Sequence, residues 1–194
     1  MKINTIIALI SLLTVSLAAQ ANYQLDNDAS SINFISIKKA AIAEVHTFKR
    51  ITGSINSTGF ARLTVDLSSV ETNIPIRNQR MQAMLFETGA FPNASVTAQL
   101  NSEQLNTIKT GEEQQLTIEF KFELHGSTKL IDANVRVVGL KNGALLVSSV
   151  TPIILNAADF TLTDGIQKLM TVASLPSIAS AVPVTFSLVF KPIQ

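Results

Sequence analysis

The chain has 194 residues, 46% of them apolar, with 15 Lys and Arg against 14 Asp and Glu, two His, and neither Cys nor Trp. That length builds one domain with a full core, and the near balance of charge excludes the clustered basic surface that phosphate-driven nucleic-acid binding requires. The lack of cysteine removes disulfides, thiolate metal ligands, a cysteine nucleophile and a lipid-modified N-terminal cysteine together.

In chain order, Lys2 precedes an apolar run from Ile6 to Leu17, and Ala19-Gln20-Ala21 follows it with the small-x-small pattern of signal peptidase. Residues 1–21 therefore read as a secretory signal cleaved before Asn22, which predicts an exported, periplasmic product. Residues 22–194 form the single mature domain. With Lys2 gone, basic and acidic side chains number 14 each, and this neutrality argues against electrostatic attraction to anionic membranes. No second apolar stretch approaches transmembrane length, so no integral span is expected after cleavage.

Alternation of apolar and polar residues dominates the mature chain and predicts strands. Weaker candidates cover 31–37, 41–47, 49–56, 61–66, 95–100 and 144–150. The clearest places Leu116, Ile118, Phe120, Phe122 and Leu124 on one face, opposite Thr117, Glu119, Lys121, Glu123 and His125. Residues 129–138 form its partner across a short turn at 125–128, and Asn142-Gly143 is a second turn signal. Val184, Phe186, Leu188 and Phe190 repeat the pattern near the C-terminus. Two stretches depart from it. Pro75 to Phe86 has the spacing of a short helix carrying Met81 and Met84, with Pro75 at its start; residues 156–178 read as a loop with a helical turn near 166–170. Eight or nine strands with short connections predict an all-β fold, an antiparallel sandwich or barrel with one or two short helices.

Several of these segments resemble one family. Tyr23-Gln24-Leu25-Asp26, Ser31-Ile32-Asn33-Phe34 and Gly53-Ser54-Ile55 are similar to the opening of the YceI-like proteins. Val70-Glu71-Thr72-Asn73, Arg77-Asn78-Gln79-Arg80-Met81, Phe86 and Phe91-Pro92-Asn93-Ala94-Ser95-Val96 resemble its middle, and Leu124 to Lys129 and Ala158-Asp159-Phe160 its later turns. The resemblance implies an antiparallel, lipocalin-like β-barrel of about eight strands that holds a polyisoprenoid or another long amphiphile along its axis, sequestering or transporting it. Asn78 stands where the family usually has Asp, which removes the ion pair that would brace Arg77, and Tyr23 replaces the usual Trp.

On that reading Leu116, Ile118, Phe120, Phe122, Leu124, Phe186, Leu188, Phe190, Met81 and Met84 line the lipid tunnel, against the alternative that they simply fill a packed barrel. Arg77 and Arg80, three apart on one helix face, form a clasp for the lipid head group, or else a surface pair braced by Glu71 or Glu87. His46 and His125 fall on the polar sides of their patterns, with no partner at metal-ligand spacing, and His125-Gly126 reads as a turn. No triad, paired carboxylate or nucleophile elbow is present, so neither catalysis, metal nor cofactor is expected. A stress-related secreted interaction protein with a packed barrel and no lipid cargo is the second reading, and pairing of two barrels into a homodimer is left open.

Overall fold

The structure, a computed structural model, describes residues 21–193; the expected signal segment lies outside them but for Ala21. The strands are β1 (Ala21–Lys38), β2 (Ile42–Phe48), β3 (Ile51–Asn56), β4 (Phe60–Asp66), β5 (Val70–Glu71), β6 (Asn93–Gln99), β7 (Glu113–Leu124), β8 (Ser127–Gly139), β9 (Leu145–Ser149), β10 (Ile153–Asn156) and β11 (Ala181–Pro192). Three short helices join them: α1 (Pro75–Arg80), α2 (Ser102–Thr107) and α3 (Thr163–Val172).

Eight strands close a ring in the order β1-β3-β4-β6-β7-β8-β9-β11, each antiparallel to its neighbours, and β11 returns to pair with β1. The remaining three, β2, β5 and β10, extend the sheet beyond the ring. The 18 residues of β1 make this possible. Its first residues pair with β3, its register slips between Asp26 and Ser31, and its second half turns to β2. A closed ring leaves its members no free edge.

The alternation on β7 and β8 is realised as expected. Val135 and Val137 of β8 are buried while Asn134 and Arg136 are exposed. The connection is tighter than the expected four residues: Leu124 pairs with Ser127, leaving only His125 and Gly126, both at positive φ. Both central residues of a type I′ turn take such angles, whose twist matches that of the strands.

Three elements escape the reading by periodicity, β5 because it spans only two residues. At four residues β10 is too short to show a period, and α2 is signalled only by Asn101, whose side chain caps the Gln104 amide at 3.1 Å. The helical turn expected near 166–170 is in fact the ten-residue α3.

Candidate functional site

Side chains do not fill the barrel. A cavity of about 570 Å³ runs through it, within the roughly 300–1,000 Å³ range of small-molecule pockets. Ile118, Phe120, Phe122 and Leu124 of β7 and Phe186, Leu188 and Phe190 of β11 stand on its wall, with Met81. Alternation places them there, because inward positions of a strand recur every second residue.

Leu116 and Met84 do not reach the wall, and each departure has a local cause. Leu116 packs into the core towards the start of β7, where α2 is tied on by Gln104 Nε2 donating to Gln114 Oε1 at 3.1 Å and buries Leu105. Met84 is displaced by a change of helical pitch. Beyond α1 the backbone continues as a π-helical turn over Met81–Leu85, with the Phe86 amide donating to the Met81 carbonyl at 2.9 Å. The wider turn puts Leu85 and Phe86, four and five residues after Met81, on the wall in place of Met84, three residues after it.

The helices complete the wall. Leu162, Ile166, Leu169 and Val172 present one stripe of α3 and its approach to the cavity. Gly165 lets α3 close on the π turn: a Cβ there would lie 2.7 Å from the Met84 carbonyl oxygen and 2.8 Å from the Leu85 Cα. Phe34, Phe48 and Phe86 form an aromatic row from β1 through β2 to this turn, with centroids 5.3 and 5.8 Å apart.

One part of the wall is polar. Along β1 the inward positions run Ile32, Phe34, Ser36, Lys38; along β2 they run Glu44, His46, Phe48. Pairing sets Phe34 opposite His46 and Ser36 opposite Glu44. The Glu44 carboxylate accepts from Lys38 Nζ at 2.7 Å and from Arg77 Nη1 at 2.8 Å, while Arg77 Nη2 donates to the Thr72 carbonyl at 2.7 Å. Hydrogen bonding from Lys38, reinforced by Arg77, holds the Glu44 carboxyl below its ordinary range.

Arg77 is thus braced after all, from β2 and not by Glu71 or Glu87. Asn78, in the position where an acid was expected, accepts from the Thr72 amide and hydroxyl at 2.9 and 2.6 Å and donates to Glu71 at 2.9 Å. It secures the start of α1 and leaves Glu44 to Arg77. Arg80 also reaches the cavity wall and forms no ion pair among the described residues.

His46 corrects the sequence reading most clearly. It is 3% exposed and lines the cavity, not the polar exterior. Its Nε2 shares a hydrogen bond of 2.8 Å with Ser36 Oγ, its ring lies 5.1 Å from that of Phe34, and its Nδ1 has no partner, nor has Arg77 Nε. Burial, with Arg77 nearby, lowers its pKa and favours the neutral ring. The parity of β2 could have revealed this, since Phe48 and His46 share a face; the apolar Ala41, Ala43 and Val45 suggested the opposite one. His125 is a turn residue, hydrogen bonded to Thr161 Oγ1 at 2.9 Å, with its ring tilted against that of Phe91 at a centroid distance of 4.3 Å. Among the described residues no group of three or more His, Cys, Asp or Glu could hold a metal ion, and no helix is long and apolar enough to cross a membrane.

What this geometry can do is retain an elongated apolar molecule and meet its polar end with hydrogen-bond donors. Its relatives have the same frame. A polyisoprenoid binding domain from Saccharophagus degradans, implicated in plant cell wall breakdown, is 36% identical, with a TM-score of 0.88 over 90% of this chain and 100% of its own. Burkholderia cenocepacia BcnA shares the fold at 17% identity and a TM-score of 0.63, over 85% of this chain and 98% of its own. The Campylobacter jejuni YCEI protein does so at 13% and 0.53, over 77% and 84%. A search of curated protein sequences finds no match. Residues 23–190 match the YceI-like domain, and with the 36% identity to the Saccharophagus domain over nearly the full length, the chain belongs to the YceI-like family.

Proposed function

We propose that this chain is an exported lipid-binding protein that sequesters or carries a polyisoprenoid in the periplasm, its tail in the barrel and its head at the polar cluster. The observation that carries this reading is the cavity itself: a closed ring of eight strands encloses a largely apolar space of about 570 Å³ whose wall carries one polar cluster, Ser36, Lys38, Glu44, His46 and Arg77. The description of the Saccharophagus relative as a polyisoprenoid binding domain supports the same class of ligand.

A hydrocarbon tail suits the wall physically. Each buried methylene gains about 0.8 kcal/mol, so roughly ten of them supply about 8 kcal/mol before the costs of association are subtracted. That is enough for retention without a covalent anchor. Arg77 and Arg80 act as the head-group clasp, with Arg77 held in place by Glu44 and Arg80 free to turn toward the ligand. No reaction is assigned: the buried His46 ring meets the Ser36 hydroxyl through Nε2, but its Nδ1 has no acid to orient it as a base.

The test is extraction of the protein, purified gently from its own host, with organic solvent, followed by mass spectrometry. A long-chain isoprenoid lipid near one equivalent per chain is the expected result. An empty extract, together with no uptake of isoprenoid analogues by the delipidated protein, would rule the carrier reading out.

A further inference from the structure

Three stretches meet at the polar part of the cavity wall: residues 38–44 around the turn from β1 to β2, residues 74–80 with α1, and residues 172–179 from the last residue of α3 onward. The Lys39 amide donates to the Ser177 carbonyl at 3.0 Å, the Ala179 amide donates to the Ile37 carbonyl at 2.8 Å, and Arg77 reaches Glu44. The side chains at this junction are unusual for a surface. Ile74, Ile76 and Val172 are 43%, 52% and 38% exposed, yet all three belong to the cavity wall. A residue that both lines a cavity and faces solvent stands at its mouth, so the mouth has an apolar lip. Ile42, 43% exposed, continues it at the start of β2.

Charge at this rim differs from charge elsewhere. Lys38, Lys39, Arg77 and Arg80 fall within these three stretches against a single carboxylate, Glu44, in a chain whose total is only +1. Overall neutrality conceals a cationic rim set around an apolar opening. Exposed apolar residues grouped in this way mark an interaction site, and apolar side chains ringed by Lys and Arg match the boundary of an anionic bilayer, where apolar groups enter the acyl region and cations meet phosphates.

We propose that this rim docks on the surface of an anionic phospholipid bilayer, with the cavity mouth set against the lipid. Continuity with the cavity favours a membrane over a protein partner. A lipid passing between bilayer and barrel through open water would expose its whole tail, whereas a docked mouth joins two apolar phases directly. Docking itself needs only the rim; what passes through the mouth rests on the carrier reading above.

Flotation of the purified protein with vesicles tests this, using phosphatidylcholine alone and phosphatidylcholine containing a minority of phosphatidylglycerol. Binding to the anionic vesicles should be at least about tenfold tighter at low salt and should weaken as salt rises. The double variant Lys39→Glu with Ile42→Asp, both exposed and neither on the cavity wall, should lose that advantage while keeping the wild-type amount of extractable lipid. Equal flotation on both vesicle types, or undiminished binding by the variant, overturns the proposal. So does a concentration-dependent dimer in sedimentation that the variant abolishes without any flotation, which would make the rim a contact between copies. An empty lipid extract alongside intact flotation would sink the carrier reading and leave the docking surface standing.

Discussion

Arg77 joins three elements through one guanidinium: its own helix, the Thr72 carbonyl ahead of it and Glu44 on β2. Hydrogen bonds to charged groups contribute about 1.5–3 kcal/mol when well buried, and partial exposure with screening reduces this. Replacing Arg77 by Gln should therefore lower stability by about 1–2 kcal/mol in urea unfolding, and Arg77→Lys should recover little of it, because an ammonium cannot span both acceptors in one plane. His46 sets a pH dependence of definite sign. Its folded pKa lies below the ordinary value of 6.5, so the unfolded chain takes up the proton first as the medium is acidified. Its contribution to stability is complete above pH 6.5 and declines as the pH falls from there through the folded value. The carboxylates with depressed values, Glu44 and Glu71 among them, the latter at about 2, lose their contributions only at lower pH. Thermal unfolding should accordingly show wild type losing stability between neutral pH and the carboxylate range more steeply than His46→Gln; parallel curves would show that the ring is not held neutral.

The elements differ in how openly the sequence declares them. Long strands with strict alternation, β7 and β8 above all, are legible because twelve or thirteen residues repeat one period. β2 is not: both of its faces mix apolar and polar residues, and the inward one carries Glu44 and His46 because it borders a mouth and not the core. That is why Glu44 and His46 escaped sequence reasoning while most of the wall on β7 and β11 did not. The family resemblance supplied the barrel and the pair Arg77 and Arg80, but not the partner that holds Arg77, which lies 33 residues away in the chain. The pitch of the helix after Arg80 is equally silent, since the same residues at α-helical spacing would have brought Met84 inward. Packing of α3 on this π turn depends on Gly165, and Gly165→Ala should destabilise the fold by about 1–3 kcal/mol, because the Cβ meets backbone atoms that cannot swing aside. Urea denaturation would register this as a lower midpoint with an unchanged slope.

For the whole molecule, the closed ring separates two demands that usually compete. Its stability comes from the strand ladder and from residues such as Leu67, Val137, Leu145 and Phe160, which are almost wholly buried, so the central space need not be filled for the fold to stand. A void lined by apolar atoms nevertheless forfeits dispersion contacts, which makes the empty barrel less stable than a filled one of the same topology. Function and stability should therefore move in opposite directions when the space is plugged. Ala98 on β6 and Val147 on β9 both stand on the wall, and converting both to Phe adds apolar volume from two strands of the ring. The delipidated double variant should unfold about 1–2 kcal/mol later than delipidated wild type if the rings enter the void without strain, while extractable lipid per chain falls by about tenfold or more. The opposite pair of results, lipid content unchanged and stability reduced, would mean that the added rings are forced into the packed wall and that the tail lies elsewhere. Only an unfilled interior that takes up a lipid, as proposed above, predicts a variant that is at once more stable and poorer in extractable lipid.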